Sequence, residues 1–211
     1  MARRLGDPGT LAYTLEGRYD ANWGPEALEG RLAIADELLA LAAAVGDAER
    51  AYAGHDCRFI AMLEAGDLVE ARRSHETATR LADQLRQPAQ LWDSAARRAM
   101  LAHYDGRLAE AESSTREAFA LGQSVQTVNA QLVLDLQMYA LRREQGRLAE
   151  VADVVERAVD EYPGYPVWSY VLIDVLVELG RTTDARALLA RVGVEDYHVY
   201  LDMQWLFSMS T

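Results

Sequence analysis

The chain contains no lysine, and all 21 of its basic residues are arginine. P-loop ATPases need a lysine to reach the β- and γ-phosphates, and Schiff-base enzymes need an amine, so the sequence excludes both chemistries. A single cysteine, Cys57, leaves no pair for a disulfide within the chain. We therefore expect a reducing, cytoplasmic setting.

Long apolar runs are also missing. The longest spans residues 38–45, far short of the roughly 20 residues that a membrane span needs. The opening Met-Ala-Arg-Arg is followed by Gly6, Asp7 and Pro8 rather than by the apolar region of a secretory signal. The net charge is −12, which repels a phosphate backbone. We expect no membrane partner and no direct nucleic-acid partner.

The residues that are present follow a helical period from one end of the chain to the other, and no segment alternates in the manner of a strand. An apolar stripe after Pro25 shows the pattern most clearly: Leu28, Leu32, Ala35, Leu39 and Ala42. Breaks at glycine and proline divide the chain into about eleven helices of roughly 12 to 20 residues. The sequence therefore predicts an all-α fold.

Four of the breaks are regularly spaced. Gly66, Gly106, Gly146 and Gly180 are separated by 40, 40 and 34 residues, which is the period of stacked helical hairpins. The segment 106–110 is repeated letter for letter as 146–150. Small or apolar residues stand five and twelve positions after the glycines: Ala71, Ala111, Val151, Ala185, Ala78, Ala118, Ala158 and Val192. Small side chains seven apart allow a partner helix to approach closely.

These features resemble the tetratricopeptide repeat family, which has a turn glycine between two helices, small residues five and twelve positions later, and a closing proline. The copy with Gly146, Ala158 and Pro163 matches well, whereas two of the spacings are 40 rather than 34 residues. The resemblance implies one α-α superhelix, a solenoid domain over 1–211 of about five hairpins plus one terminal helix. Its repeats would be roughly 6–46, 47–87, 88–125, 126–163 and 164–193, with a partial repeat at 194–211.

The sequence as a whole is similar to the C-terminal regions of STAND-class ATPase transcription regulators of actinobacteria, of the LuxR and SARP types. This resemblance implies a fragment of a larger polypeptide that acts in transcription regulation and signal transduction. In such proteins the helical array receives a protein or peptide partner, including other domains of the same polypeptide, or a small inducer. The ATPase and DNA-binding functions would lie elsewhere in the polypeptide.

In tetratricopeptide arrays the first helix of each hairpin lines a concave groove. The family template turns ten side chains toward that groove: Asp56, Ile60, Asp93, Arg97, Met100, Tyr104, Gln137, Arg143, Tyr170 and Asp174. An arginine there could form a fork with the carboxylate of an acidic peptide, while methionine and tyrosine supply contact area. The pair Arg142-Arg143 has another explanation, because it complements the dipole at a helix C-terminus.

Two other functions are compatible with the sequence. The chain could be a self-contained scaffold that forms a homodimer through an apolar helix at 196–211. It could also be an all-helical enzyme, although His75-Glu76 lacks the second histidine of a zinc helix and there is no Asp-Asp pair. We predict no catalytic site, no cofactor site and no metal site.

Overall fold

The computed structural model describes residues 7–22 and 25–192, and every regular element within these ranges is helical. There are ten α-helices in this part of the chain, and we number them α1 to α10. They are α1 Pro8–Asp20, α2 Leu28–Val45, α3 Ala48–Glu64, α4 Leu68–Leu85, α5 Pro88–Tyr104, α6 Leu108–Gly122, α7 Thr127–Glu144, α8 Ala152–Glu161, α9 Val167–Glu178 and α10 Thr182–Val192. Short 3-10 turns occupy Pro25–Ala27 and Leu148–Glu150. The predicted all-α class is confirmed.

The four regularly spaced glycines each form the turn between two helices. Their φ angles are +78°, +72°, +66° and +74° for Gly66, Gly106, Gly146 and Gly180. Only glycine adopts this left-handed conformation without a steric penalty. After each glycine, the next amide donates to the carbonyl five residues earlier, as in the 2.8 Å bond from the Arg147 amide to the Arg142 carbonyl. This pattern is the Schellman motif, which closes a helix and starts a new direction.

Helix α8 is shorter than the sequence predicted. It contains ten residues and is preceded by the 3-10 turn Leu148–Glu150. Val151 stands between the two with a φ of −113°, outside the α-helical range. The other three copies have alanine at this position, and a β-branched side chain fits a helix less readily.

The chain divides into two compact units, which we describe separately. In the N-terminal unit, residues up to Arg97, helix α1 packs on α2, α2 on α3 and α3 on α4. Apolar side chains of α1 and α2 form one of its cores: Ala12, Leu15, Tyr19, Ile34 and Leu38. The small residues Ala71 and Ala78 are buried, as the spacing predicted.

Helices α2 and α3 approach each other closely at Gly54. A Cβ atom added there would lie 2.9 Å from the Cγ atom of Leu39 and 3.3 Å from its backbone nitrogen. Real carbon atoms do not approach so closely, so any larger residue would move the helices or change the Leu39 rotamer. Gly54 therefore sets the distance between these two helices.

The C-terminal unit begins at Arg98. Helix α6 packs on α7, and α9 packs on both α8 and α10. Its main core contains side chains from α7 to α9: Leu132, Tyr139, Leu148, Val151, Val155, Ala158, Val167, Trp168, Val171 and Val175. The partial repeat 194–211 and the proposed dimer helix 196–211 lie outside the described residues. The single domain and the repeat boundaries stay predictions.

Candidate interaction surface

In the N-terminal unit, predicted groove residues of α3 and α5 contact each other. Arg97 donates from Nε and Nη2 to the two carboxylate oxygens of Asp56, at 3.2 and 3.3 Å. The Arg97 side chain retains 30% exposure, so the pair lies at the edge of the surface. Tyr52 and Asp93 adjoin this pair, and we name Tyr52, Asp56, Asp93 and Arg97 the Arg97 cluster. The cluster joins two successive first helices through a two-bonded ion pair.

The Arg97 cluster holds two carboxylates near one guanidinium. Burial raises the pKa of Asp93 to about 6, the Asp56 charge adds to this, and Arg97 opposes it. Burial also raises the pKa of Tyr52. The Tyr52 hydroxyl donates to the Gln90 carbonyl over 3.2 Å. Since Asp56 already occupies the arginine fork, Asp93 is the less compensated of the two acids.

Helix α1 extends this acidic surface. The Tyr19 hydroxyl donates to the Cys57 carbonyl of α3 at 2.6 Å, which fixes α1 against α3. Burial raises the pKa of Asp20, and the charges of Glu16 and Asp56 raise it further. Carboxylates from α1, α3 and α5 therefore influence one another within the N-terminal unit.

In the C-terminal unit, Asp174 of α9 joins the first helices in a comparable way. It accepts a 2.6 Å hydrogen bond from the Tyr139 hydroxyl of α7 and lies 3.4 Å from Arg143 Nε. We name Tyr139, Arg143 and Asp174 the Asp174 cluster. The Asp174 side chain is 12% exposed, whereas that of Arg143 is 44% exposed. The predicted residues Arg143 and Asp174 thus bind each other.

The remaining predicted residues have different surroundings. Gln137 accepts a 3.0 Å hydrogen bond from the Thr115 hydroxyl of α6. Ile60 and Tyr170 are half-buried. Met100 and Tyr104 line an open depression of about 580 Å³, which we name the α5–α7 depression. Its lining residues are Met100, His103, Tyr104, Gly106, Leu108 and Glu144.

The arginine pairing bears on the expected acidic partner. A carboxylate of a bound peptide would have to displace Asp56 from Arg97, or Asp174 from Arg143. Displacing a partner from an existing ion pair gains little, because one charge pair is exchanged for another. The two arginines therefore serve first to hold neighbouring first helices together.

Arg142 has a structural role that the sequence did not reveal. It lies in the last turn of α7, as the dipole explanation requires. Its guanidinium also donates to both Glu112 oxygens of α6 at 2.7 and 2.8 Å, and to Glu150 at 2.9 Å. Hydrogen bonds from Arg142, and then from Arg116, lower the pKa of Glu112 to about 2. Arg142 therefore ties α6 to α7 and to the following turn.

Arg31 was not predicted to be buried, yet its side chain is wholly inaccessible to solvent. It forms an ion pair with Glu64 of α3, and its guanidinium lies 5.7 Å from the centroid of the Tyr19 ring. The apolar stripe expected on α2 did not include this position, although Arg31 lies on the same side of the helix, three residues after Leu28 and four before Ala35. Glutamate stands two residues before the turn glycine in three of the four copies. This recurrence does not identify Arg31 as a partner, because Arg31 and Glu64 lie on different helices.

The residues considered for catalysis or metal binding do not converge. Among residues 7–22 and 25–192, no group of three or more histidine, cysteine, aspartate or glutamate side chains is arranged to hold a metal ion. Burial raises the pKa of the Cys57 thiol, and nearby carboxylates add to the effect. A thiol with a raised pKa is a poor nucleophile. No helix of the described part has the length and apolar character to cross a bilayer.

A comparison with models of protein families matches part of the chain. Residues 142–198 match the model of the tetratricopeptide repeat. The matched region starts at the end of α7 and includes the Gly146 turn, α8, α9 and α10. No curated protein matches the chain. The match supports a relation of this region to tetratricopeptide repeats, which generally mediate protein–protein interactions.

Proposed function

We propose that the chain is a protein–protein interaction module of a multidomain transcription regulator, and that it binds its partner through the surface of its first helices. One observation carries the proposal. In each unit, the side chains that the repeat template assigns to this surface come from successive first helices and contact each other, as Asp56 does with Arg97 and Arg143 with Asp174.

The chemistry of this surface suits protein recognition. Tyrosine and arginine are enriched at interfaces, and the partly buried pairs of both clusters are held in place before a partner arrives. Such ordering lowers the entropy lost on binding. Helical hairpins bury their apolar faces against their neighbours, which leaves the first-helix surface of each unit available for a protein or peptide, or for a small inducer.

The proposal can be tested with peptides selected from a random displayed library on the immobilised chain. We expect selected peptides that bind the N-terminal unit to lose affinity by about tenfold with Ile60→Ala, and those that bind the C-terminal unit to lose as much with Tyr104→Ala, because each position belongs to the first-helix surface of its own unit. Val69→Ala, an exposed apolar position on the second helix α4, is the matched control and should leave affinity unchanged. Peptides that depend on Val69 instead, or a selection that yields none, would contradict the proposal.

The regulator context adds a second expectation. Since the chain lacks the lysine of a P-loop and carries a net charge of −12, the isolated chain should neither hydrolyse ATP nor bind DNA. Phosphate release and a duplex mobility shift measure the two activities. ATP turnover that persists through purification would refute this division of labour within the regulator.

A further inference from the structure

The α5–α7 depression combines three kinds of chemistry. Met100 and Leu108 supply apolar walls, and Tyr104 offers an aromatic side chain that is 61% exposed. Glu144 is the one acidic side chain in the lining. A volume of about 580 Å³ suits one or two amino-acid side chains.

The charge of Glu144 is not matched by a cation in the part of the chain that the structure describes. Glu144 forms no ion pair there, although arginines surround it in sequence. Arg143 binds Asp174, and Arg147 binds Glu150. Arg107, at the α5–α6 turn, binds Asp105 and Glu110. The carboxylate of Glu144 is therefore the uncompensated charge of this depression.

The next hairpin contains a depression at the equivalent position, and one of its lining residues is an arginine. Its lining residues are Arg143, Gly146, Leu148, Ala149, Glu178 and Leu179. Leu108 and Leu148 each stand two residues after a turn glycine, and Glu144 and Glu178 each stand two before the next one. Arg143 occupies the place, three before the glycine, that His103 has in the α5–α7 depression.

The two depressions differ in volume and in whether an arginine lines them. The depression that includes Arg143 has a volume of about 200 Å³, against about 580 Å³ where the chain has His103 instead. The C-terminal unit thus contains one copy that provides its own arginine beside an acidic position, and one copy with the acid, more space and no arginine.

We propose that the α5–α7 depression binds an arginine side chain from an extended segment of a partner protein. A guanidinium can stack on Tyr104 and donate to Glu144, while its methylene stem packs on Met100 and Leu108. The net charge of −12 favours the approach of a cationic segment. This proposal deepens the proposed function and rests on it, since it names the partner chemistry for one part of the first-helix surface.

The test follows the methyl signal of Met100 in the full chain labelled with ¹³C-methyl methionine and assigned with Met100→Leu. The probe is the peptide acetyl-Ala-Leu-Arg-Leu-Ala-amide. Two control peptides replace the arginine with its neutral analogue citrulline or with glutamate. We expect a saturable shift with the arginine peptide in the millimolar range, affinity at least about fivefold lower for citrulline, and no binding of the glutamate peptide.

Three variants locate the binding on the protein. Glu144→Gln and Tyr104→Ala should each weaken the arginine peptide by about fivefold. Glu178→Gln removes the equivalent charge from the neighbouring depression, which already includes Arg143. It should change the affinity for the arginine peptide by less than about twofold. His103→Arg introduces the arginine that the other copy has, and should abolish binding by occupying the depression.

Several results would overturn the proposal: no Met100 shift up to about 10 mM arginine peptide, equal affinity for the citrulline or glutamate peptide, or equal losses with Glu144→Gln and Glu178→Gln. The outcome is separable from that of the proposed function. Displayed peptides that still depend on Ile60 would leave the interaction module standing while the arginine site fails. Arginine binding without any Ile60 dependence would do the reverse.

Discussion

Each unit holds an arginine against two carboxylates, and the two arrangements differ in how well the acids are compensated. In the Arg97 cluster of the N-terminal unit, Asp56 takes the arginine fork, and burial raises the pKa of Asp93 to about 6. In the C-terminal unit, Arg142 donates to both Glu112 and Glu150, and the pKa of Glu112 falls to about 2.

The difference lies in the number of hydrogen bonds that reach each acid. Glu112 accepts from two Arg142 nitrogens and from Arg116, so its charged form is strongly favoured. Asp93 lies near the guanidinium of Arg97, which donates its hydrogen bonds to Asp56, so burial dominates the titration of Asp93. The Arg142 arrangement therefore stabilises its unit at neutral pH, whereas the ionised Asp93 opposes the stability of its own unit.

The largest expected effect comes from removing Arg142. Arg142→Met should lower the free energy of unfolding of the C-terminal unit by about 3 kcal/mol, because Glu112 and Glu150 lose a nearly buried partner. A chain that retains Trp168 as its only tryptophan reports this unit, since that side chain is 1% exposed in its core. Urea unfolding followed by its fluorescence gives the change.

Arg116→Met is the matched control for Arg142→Met. Arg116 binds the same Glu112, but its side chain is 62% exposed and lies four residues along the same helix. Exposed pairs of this kind contribute about 0.3 to 0.5 kcal/mol. Equal losses in the two variants would show that burial does not distinguish the Arg142 arrangement.

The second prediction concerns acid. The folded-state pKa of Glu112 is about 2, against 4.5 for the free side chain, so its stabilisation is present above pH 4.5 and is lost as the pH falls toward 2. We expect a loss of about 1 to 2 kcal/mol for the C-terminal unit, allowing for solvent screening. Glu112→Gln should remove this part of the pH dependence in the Trp168 chain. An unchanged profile in the variant would contradict the assignment.

The N-terminal unit should respond with the opposite sign at Asp93. Its pKa is raised from 3.8 to about 6, so the folded state binds more protons than the unfolded state between these values. The contribution of Asp93 should fall by about 1 kcal/mol as the pH rises from 4 to 7. A chain with Trp92 as its only tryptophan measures the unit. If Asp93→Asn retains the same dependence on pH, another group causes it.

The pattern of helices and turns was accessible from the sequence because glycine carries conformational information. Gly66, Gly106, Gly146 and Gly180 occur where a positive φ is required, and the buried alanines follow at the predicted distances. The sequence did not predict the 3-10 turn before α8, since this turn depends on how the side chain of Val151 packs. Local propensity determines the first kind of feature, and tertiary packing determines the second.

The interaction surface was less predictable. The repeat template assigned Asp56, Arg97, Arg143 and Asp174 to one type of surface, and in the structure Arg97 binds Asp56 and Arg143 binds Asp174. The template did not predict these ion pairs, and both arginines were expected to be available to a partner. The Asp56–Arg97 partners are 41 positions apart and the Arg143–Asp174 partners 31. Ion pairs between residues so far apart leave no mark in a periodic pattern, which records only which residues share one helix face. The same limit concealed Arg31, whose partner Glu64 lies on another helix.

The smallest expected effect concerns the packing of α2 on α3 in the N-terminal unit. It tests whether this packing supplies stability that offsets the unfavourable contribution of ionised Asp93. Gly54→Ala places a Cβ atom against Leu39, and the overpacking should exceed the gain in helix propensity, for a net loss of about 0.5 to 1 kcal/mol. Gly17→Ala is the control, because that helical glycine has no atom within 4 Å of the added carbon. It should stabilise the unit by a similar amount through propensity alone. The Trp92 chain measures both. If the two substitutions shift stability in the same direction, the close approach of α2 and α3 does not limit this unit, and the stability that offsets Asp93 must come from other contacts.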